Sequence, residues 1–316
     1  MSRLGKRMPW GTGRVEITAP LVAELIATQF PQWTDLPVVP VACDGWDNAT
    51  YRLGKGMSVR LPRTEKYALQ VDKEHRWLPI LAHGLPLPIP RPLVRGAPGC
   101  GYPLPWSVYR WLEGDEASAQ GITDIAQFAA DLADFLVALR RIDPTGGPRP
   151  GRHNSFRGGQ LVTYDGETRA ALAMGDGIDV AAATAVWTAA LAAAWDADAL
   201  WLHGEIAPTN LLVADGRLSA VIDFGSLAVG DPACDLTIAW TFLSGNSREV
   251  FRRRVGLDGG TWARARGWAL WKALVTLAQP RPSNPDAADV PALRLGWRQS
   301  PAAVIDDVIG DNQHAG

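Results

Sequence analysis

The chain has 316 residues, 47% hydrophobic and 20% charged, a balance that excludes wholesale disorder and allows a substantial buried core. At this length one large or two modest domains are expected. The net charge of −2 conceals an asymmetry: residues 1–111 hold 14 Lys and Arg against 8 Asp and Glu, whereas residues 112–316 hold 17 against 25. One half therefore favours an anion and the other a cation. No basic stripe interleaved with aromatics is present, which argues against a nucleic-acid partner. Cys43, Cys100 and Cys234 lack C-x-x-C spacing and support neither a disulfide scaffold nor a cysteine zinc site. A reducing cytoplasm is the default compartment. Residues 1–14 are basic but precede no apolar block of secretory-leader length. Val180 to Trp195, the longest weakly polar run, falls short of the roughly 20 residues that span a bilayer. It reads as a buried core helix, and no membrane partner is expected.

In chain order, residues 18–30 form a predicted helix, with Thr18 as N-cap, Pro20 in the first turn and an apolar stripe from Leu21, Val22, Leu25 and Ile26. Pro31 blocks its continuation. Strands are predicted over 38–43, 50–53 and 57–61, the last two joined by Gly54-Lys55-Gly56. A helix over 68–81 and extended pieces near 92–94 and 106–111 complete a small α+β lobe with an antiparallel sheet. Within it, the turn Asp44-Gly45-Trp46-Asp47-Asn48-Ala49 offers backbone N–H groups to phosphates, or is an ordinary turn. Arg60 near a strand end and Glu74 in the next helix match a phosphate-binding cation held by a carboxylate, or are two unrelated surface charges.

The second half opens with a helix over 123–141, apolar on one side through Ile125, Phe128, Leu132, Phe135, Leu136 and Leu139. The Gly-, Pro- and Arg-rich stretch from Pro144 to Gly159 reads as a solvated loop, the alternative being that its His153 and Arg157 touch a ligand. The run from Trp201 to Gly225 carries the most chemistry. Asp215-Gly216 is a hairpin turn between short apolar strands, so it draws together a loop bearing Glu205 and Asn210 and a second bearing Asp223. Oxygen ligands from Asn210 and Asp223 suit Mg²⁺, which keeps waters and bridges substrate phosphates. Glu205 is placed to orient an attacking hydroxyl or to accept its proton. His203 is expected to pack and fix the loop. Asp231 and Asp235 are expected to support the loop and cap a helix, with Asp235 opening a hydrophobic helix over 236–243. Most of the 14 tryptophans are assigned to core packing. Trp262, Trp268, Trp271 and Trp297 are candidates for an acceptor-pocket wall. Asp306, Asp307 and Asp311 read as solvated terminal charges.

His203-Gly204-Glu205, Asn210, Ile222-Asp223-Phe224-Gly225 and Gly230-Asp231-Pro232-Ala233-Cys234-Asp235-Leu236, in this order and spacing, resemble the aminoglycoside phosphotransferase-like kinases. The resemblance spans about residues 35–310. It implies a bilobal protein-kinase-like α+β fold. Residues 1–107 would form a nucleotide-binding lobe, 108–111 a hinge, and 112–316 a mainly helical catalytic and acceptor-binding lobe with the nucleotide in the cleft. It implies that Arg60 takes the phosphate role usually given to lysine, with Glu74 as partner. It places Asp44, Gly45 and Asn48 in the nucleotide loop, and Val108, Tyr109, Arg110 and Trp111 behind the adenine. ATP is the implied donor, with GTP as the other candidate. A hydroxyl of a small molecule is the implied acceptor, an aminoglycoside or other cationic antibiotic being favoured by the acidic second half.

Two departures stand out. The family's catalytic loop has Asp where this chain has Glu205, and His-Pro-Gly where it has Ala207-Pro208-Thr209. One added methylene displaces a carboxylate by roughly 1 Å, enough to cost about a hundredfold in rate unless the loop compensates. The readings are therefore an active phosphotransferase with an adjusted acid, a slow one, a kinase-like binding protein, or a kinase acting on peptide Ser or Thr.

Overall fold

The computed structural model describes residues 16–41, 47–175, 177–278 and 296–314. The chain divides into two compact units, Met1–Val71 with Pro92–Trp111, and Asp72–Arg91 with Leu112–Gly316.

The first unit is a five-stranded antiparallel sheet with one helix on it. Helix α1 (Ala19–Gln29) starts at Thr18, whose hydroxyl accepts a hydrogen bond from the Leu21 N–H. Strands β1 (Val38–Pro40), β2 (Asn48–Leu53) and β3 (Met57–Pro62) form a meander. Helix α2 (Glu65–Leu81) begins before the expected Ala68, and the division between the units falls inside it. Strands β4 (Pro92–Gly96) and β5 (Trp106–Arg110) complete the order β1-β2-β3-β5-β4. Alternation of period two sends Ala49, Tyr51 and Leu53 of β2 and Val59 and Leu61 of β3 to one face. Val22, Leu25 and Ile26 of α1 cluster with them, together with Trp106 and Val108. This is the predicted small α+β lobe.

The second unit is mainly helical. After β6 (Asp115–Glu116), helix α3 (Ile125–Arg141) is capped by the Asp124 carboxylate, which accepts from the Ala126 and Gln127 N–H groups. Its expected apolar face is buried through Phe128, Leu132, Phe135, Leu136 and Leu139. Next come α4 (Asp165–Ala173), α5 (Val180–Ala192), β7 (Leu200–Leu202), β8 (Leu211–Ala214), β9 (Arg217–Val221) and β10 (Ala228–Gly230). The unit closes with α6 (Ile238–Thr241), α7 (Gly245–Val255), α8 (Gly259–Leu277) and α9 (Pro301–His314). β6, β8 and β9 form one antiparallel ladder, and β7 pairs with β10. Helix α8 is the hub, packing on α5 and α9. Among the described residues no helix is long and apolar enough to cross a membrane.

Four expectations are corrected. Helix α5 buries one face only, through Ala183, Val186, Trp187 and Ala190. Its alanines serve close approach rather than full burial, because a Cβ on Gly267 of α8 would lie 2.6 Å from the Ala190 methyl. The expected helix over 236–243 is a 3-10 turn, Pro232–Leu236, followed by the short α6. Pro144–Gly159 is folded in rather than solvated: the Asn154 side chain is 2% exposed, accepts from the Gly151 N–H and donates to the Arg157 and Ser226 carbonyls. The tail carboxylates are structural, since Asp307 pairs with Arg248 and Asp311 with Arg266 and Arg252. Only Asp306 is exposed among the three.

Candidate active site

The β8–β9 hairpin turns on Asp215-Gly216, both with positive φ (52° and 76°), as a two-residue turn of the primed type requires. Leu211 faces Val221 across the ladder, and the Ile222 N–H donates to the Asn210 carbonyl at 2.8 Å. Asn210 is thus fastened to the residue that precedes Asp223. Asp223 has φ 63° and ψ 66°, a left-handed conformation uncommon for a residue with a Cβ, though less so for Asp.

The loop before β8 is braced from several sides. His203, fully buried, donates from Nε2 to the Ile222 carbonyl at 2.9 Å, accepts at Nδ1 from the Glu205 N–H at 3.2 Å, and stacks edge-on against Phe224. This is the packing role the sequence suggests. Asp235 accepts from the N–H groups of His203 (2.8 Å) and Gly204 (2.7 Å), and burial raises its carboxyl pKa. Asp231 caps the 3-10 turn through the Ala233 N–H and pairs with Arg264 at 2.6 Å. Asp235 therefore supports the loop, and Asp231 caps the following 3-10 turn and ties it to α8. Gly204 is required twice over: its φ is +89°, and a Cβ would stand 2.3 Å from the Ser226 carbonyl oxygen. Thr209 lies in the 3-10 turn Pro208–Asn210 and is absent from the positive-φ positions, so its branched side chain is accommodated without strain. The Asn210 amide donates from Nδ2 to the Glu205 carbonyl at 2.9 Å. That bond directs its oxygen away from the loop carbonyl.

Glu205 keeps 36% of its side-chain surface open and meets Lys272 of α8, Nζ to Oε1, at 3.2 Å. The Lys272 ammonium, helped by the Arg157 guanidinium and opposed by burial, holds the Glu205 carboxyl down at about 2. Glu205 faces a recess lined by Arg157, Cys234, Trp268, Trp271 and Lys272. Burial pushes the Cys234 thiol well up, which makes it a poor nucleophile. Trp268 and Trp271 line this recess but are buried, as are Trp106, Trp187, Trp201, Trp240, Trp262 and Trp297.

Two residues escape sequence reasoning, Lys272 and Lys73. Lys272 has no nearby motif and reaches Glu205 only through the fold. Arg157, for which the sequence favours a solvated loop over a ligand contact, has its guanidinium 4.6 Å from the Trp271 ring and donates to the Tyr164 hydroxyl at 3.1 Å. Lys73 on α2 is buried; it donates to the Gly225 carbonyl at 2.6 Å and to His153 Nδ1 at 3.1 Å, tying helix, loop and Asp223 turn together. The only available signal was a lysine next to Glu74.

In the first unit Arg60 lies on β3 opposite Ser107 of β5, its guanidinium 5.7 Å from the Tyr109 ring. Val108, Tyr109 and Arg110 are residues of β5, and the Trp111 N–H donates to the Gly56 carbonyl. Asn48 opens β2 and is buried, and the neighbouring Asp47 accepts from Gln70. Glu74, on the portion of α2 that belongs to the second unit, is 3% exposed. Asp44 and Gly45, with Cys43, lie outside the described residues.

Among the described residues no group of three or more His, Cys, Asp and Glu side chains can hold a metal. An all-protein cage is therefore absent there, and the donor set at the hairpin is one amide oxygen and one carboxylate. Such a sparse set of hard oxygens fits Mg²⁺, which retains waters and takes phosphate oxygens, and does not fit Zn²⁺.

The comparisons with known proteins bear on the family and the fold. The phosphotransferase enzyme family description matches residues 38–268. Wild-type aminoglycoside 2'-phosphotransferase-IIIa in complex with GDP superposes with a TM-score of 0.68 at 18% identity, over 94% of this chain and 100% of that one. The streptomycin–ATP ternary complex of APH(2")-IIa gives 0.59 at 14% identity over 92% and 99%. Macrolide 2'-phosphotransferase MphH from Brachybacterium faecium gives 0.57 at 21% identity over 89% and 99%. No curated protein matches the chain in sequence. A kinase-like fold with a braced carboxylate–amide–carboxylate hairpin, matched over 38–268, leads to one conclusion: the chain belongs to the phosphotransferase enzyme family.

Proposed function

We propose that the chain transfers the terminal phosphoryl group of ATP or GTP to a hydroxyl of a small molecule, with Mg²⁺ held by Asn210 and Asp223. The observation that carries this reading is the hairpin, which fastens Asn210 beside Asp223 and sets Glu205 on the same braced loop. Bound Mg²⁺ would neutralise developing charge on the phosphate oxygens. With a pKa near 2, Glu205 is a weak proton acceptor. Its work is to hold the hydroxyl in line, accepting the proton late, as suits a loose phosphoryl transition state in which positioning and electrostatics dominate. The added methylene of glutamate is met by Lys272, which fixes the end of the longer arm. Arg60, with Glu74 as partner, is assigned to the donor phosphates. Asp44, Gly45 and Asn48 are assigned to the nucleotide loop, and Val108 to Trp111 to the adenine edge.

The neighbours named for aminoglycosides and a macrolide define the first acceptor panel, and a cationic antibiotic is the acceptor favoured by the overall acidity of residues 112–316. The test is a nucleotide-consumption screen with Mg²⁺ over that panel and over neutral and acidic hydroxy compounds, with Asp223→Ala in parallel. Loss of turnover in the variant, by about 10³-fold or more, is expected. Undiminished turnover removes the metal assignment.

A further inference from the structure

The three backbone carbonyls of Gly225, Ser226 and Leu227, just past Asp223, are held by side chains from two other elements. We infer that Lys73 of α2 is a positioning residue for the proposed metal ligand Asp223, acting through a clamp on these carbonyls that it forms with His153 and Asn154. The inference rests on the proposed role of Asp223.

Lys73 is 9% exposed, and its ammonium is directed at the Gly225 carbonyl (2.6 Å), the Leu227 carbonyl (3.4 Å) and His153 Nδ1 (3.1 Å). An ammonium carries three N–H donors and no acceptor, so these three contacts match its capacity. The Arg149 carbonyl, 2.8 Å from His153 Nε2, can only accept. It therefore places the imidazole proton on Nε2 and leaves Nδ1 as the acceptor that Lys73 requires. Burial, together with the Lys73 charge, lowers the His153 pKa and so favours this neutral ring. The next residue, Asn154, donates from Nδ2 to the Ser226 carbonyl at 3.3 Å. Helix α2 and the 144–159 stretch thus grip the same three residues.

That grip lies where the two loops of the site meet. Asp223 is left-handed and leads directly into the 3-10 turn Phe224–Ser226, so any rotation of the turn swings its carboxylate. Gly204, next to Glu205, packs against the same turn: a Cβ there would stand 2.3 Å from the Ser226 oxygen. The Leu227 N–H donates to the Phe224 carbonyl at 3.0 Å, which closes the turn locally. Lys73 and Asn154 anchor it to the rest of the fold, and bonds from an ammonium are about twice as strong as neutral ones. Groups that orient a metal ligand without touching the ion govern its affinity.

The test reads metal affinity. Water proton relaxation of Mn²⁺ with AMP-PNP or GMP-PNP, on the full chain, gives the dissociation constant of the protein-bound ion. Lys73→Met keeps an unbranched stem and removes the donors, and is expected to weaken Mn²⁺ binding by about tenfold. Hydrogen exchange of the metal-free variant should quicken over residues 223–229 and not over α8. His153→Phe, which removes the Nδ1 acceptor, is expected to shift Mn²⁺ affinity in the same direction by less, and serves if Lys73→Met fails to fold. Arg264→Leu is the control for destabilisation alone and should bind Mn²⁺ as the unaltered chain does. Equal weakening in Arg264→Leu, or unchanged Mn²⁺ affinity in whichever of the first two variants folds, overturns the inference. Asp223→Ala separates this failure from that of the metal assignment. Loss of binding in Asp223→Ala with unchanged affinity in Lys73→Met sinks the positioning role alone. Undiminished affinity in Asp223→Ala, or no Mn²⁺ bound by the unaltered chain, sinks the metal assignment and the inference with it.

Discussion

Two of the ion pairs that helix α8 carries, about two turns apart, behave differently. Arg264 and Asp231 are 6% and 7% exposed, doubly bonded, and reinforced by Arg264 bonds to the Ala194 carbonyl and Thr261 hydroxyl. Lys272 and Glu205 are 14% and 36% exposed and share one contact. Burial dominates the first pair and raises the Asp231 carboxyl, whereas the Lys272 ammonium dominates the second and lowers Glu205. A dry, redundant pair locks an architecture. A single contact at the mouth of a recess keeps a carboxylate charged and still able to exchange its partner for a ligand. The sequence shows the same kinds of residue at both places, so the difference is one of solvent access and redundancy.

The contrast can be broken at four points. Glu205→Gln removes the charge at the open pair and is expected to lower turnover by about 10²–10⁴-fold, with thermal unfolding little changed. A large fall in the unfolding temperature would make Glu205 a structural residue instead. Arg264→Leu leaves Asp231 buried without its counter-charge. Urea denaturation should show a loss of about 3–5 kcal/mol, while the protein that remains folded keeps its turnover. Gly204→Ala forces a methyl toward the Ser226 carbonyl at a left-handed residue, at a cost of about 1–3 kcal/mol. Turnover should suffer more than stability, because the displaced loop carries Glu205.

The smallest effect is one of pH. With Lys272 present, Glu205 is ionised at every pH above about 2. Its folded pKa lies below the ordinary 4.5, so the pair contributes stability above that value and loses it as pH falls through about 2. In Lys272→Met burial acts with less opposition and the carboxyl rises. The acidic limb of the pH–rate profile should therefore move to higher pH, and the stability gained between about pH 2 and 4.5 should shrink. An unmoved acidic limb would show that Lys272 does not set the charge of Glu205.

Much of the site was legible because it is local. Asp215-Gly216 between apolar runs dictates a two-residue turn, and a two-residue turn dictates that Asn210 meets the start of the Asp223 loop. The N-cap at Thr18, the alternation in β2 and β3 and the face of α3 are likewise set within a few residues. Boundaries were less legible where capping competes with pattern, as at Glu65 of α2, and α4, α7 and α9 were missed because their polar faces dilute the apolar period. Asp307 and Asp311 looked like solvated tail charges because their arginines lie 59, 45 and 59 positions away.

Local pattern by itself determined the kind of chemistry: short-range stereochemistry and hydrogen bonding force a hairpin that gathers an amide and two acids. Tertiary structure alone decided the electrostatics of that chemistry. Lys272 and Arg157 come to Glu205 from 67 positions along the chain and from the far side of α5 in sequence, and a charge acts through distance in space and through the water removed around it, neither of which the order of residues records.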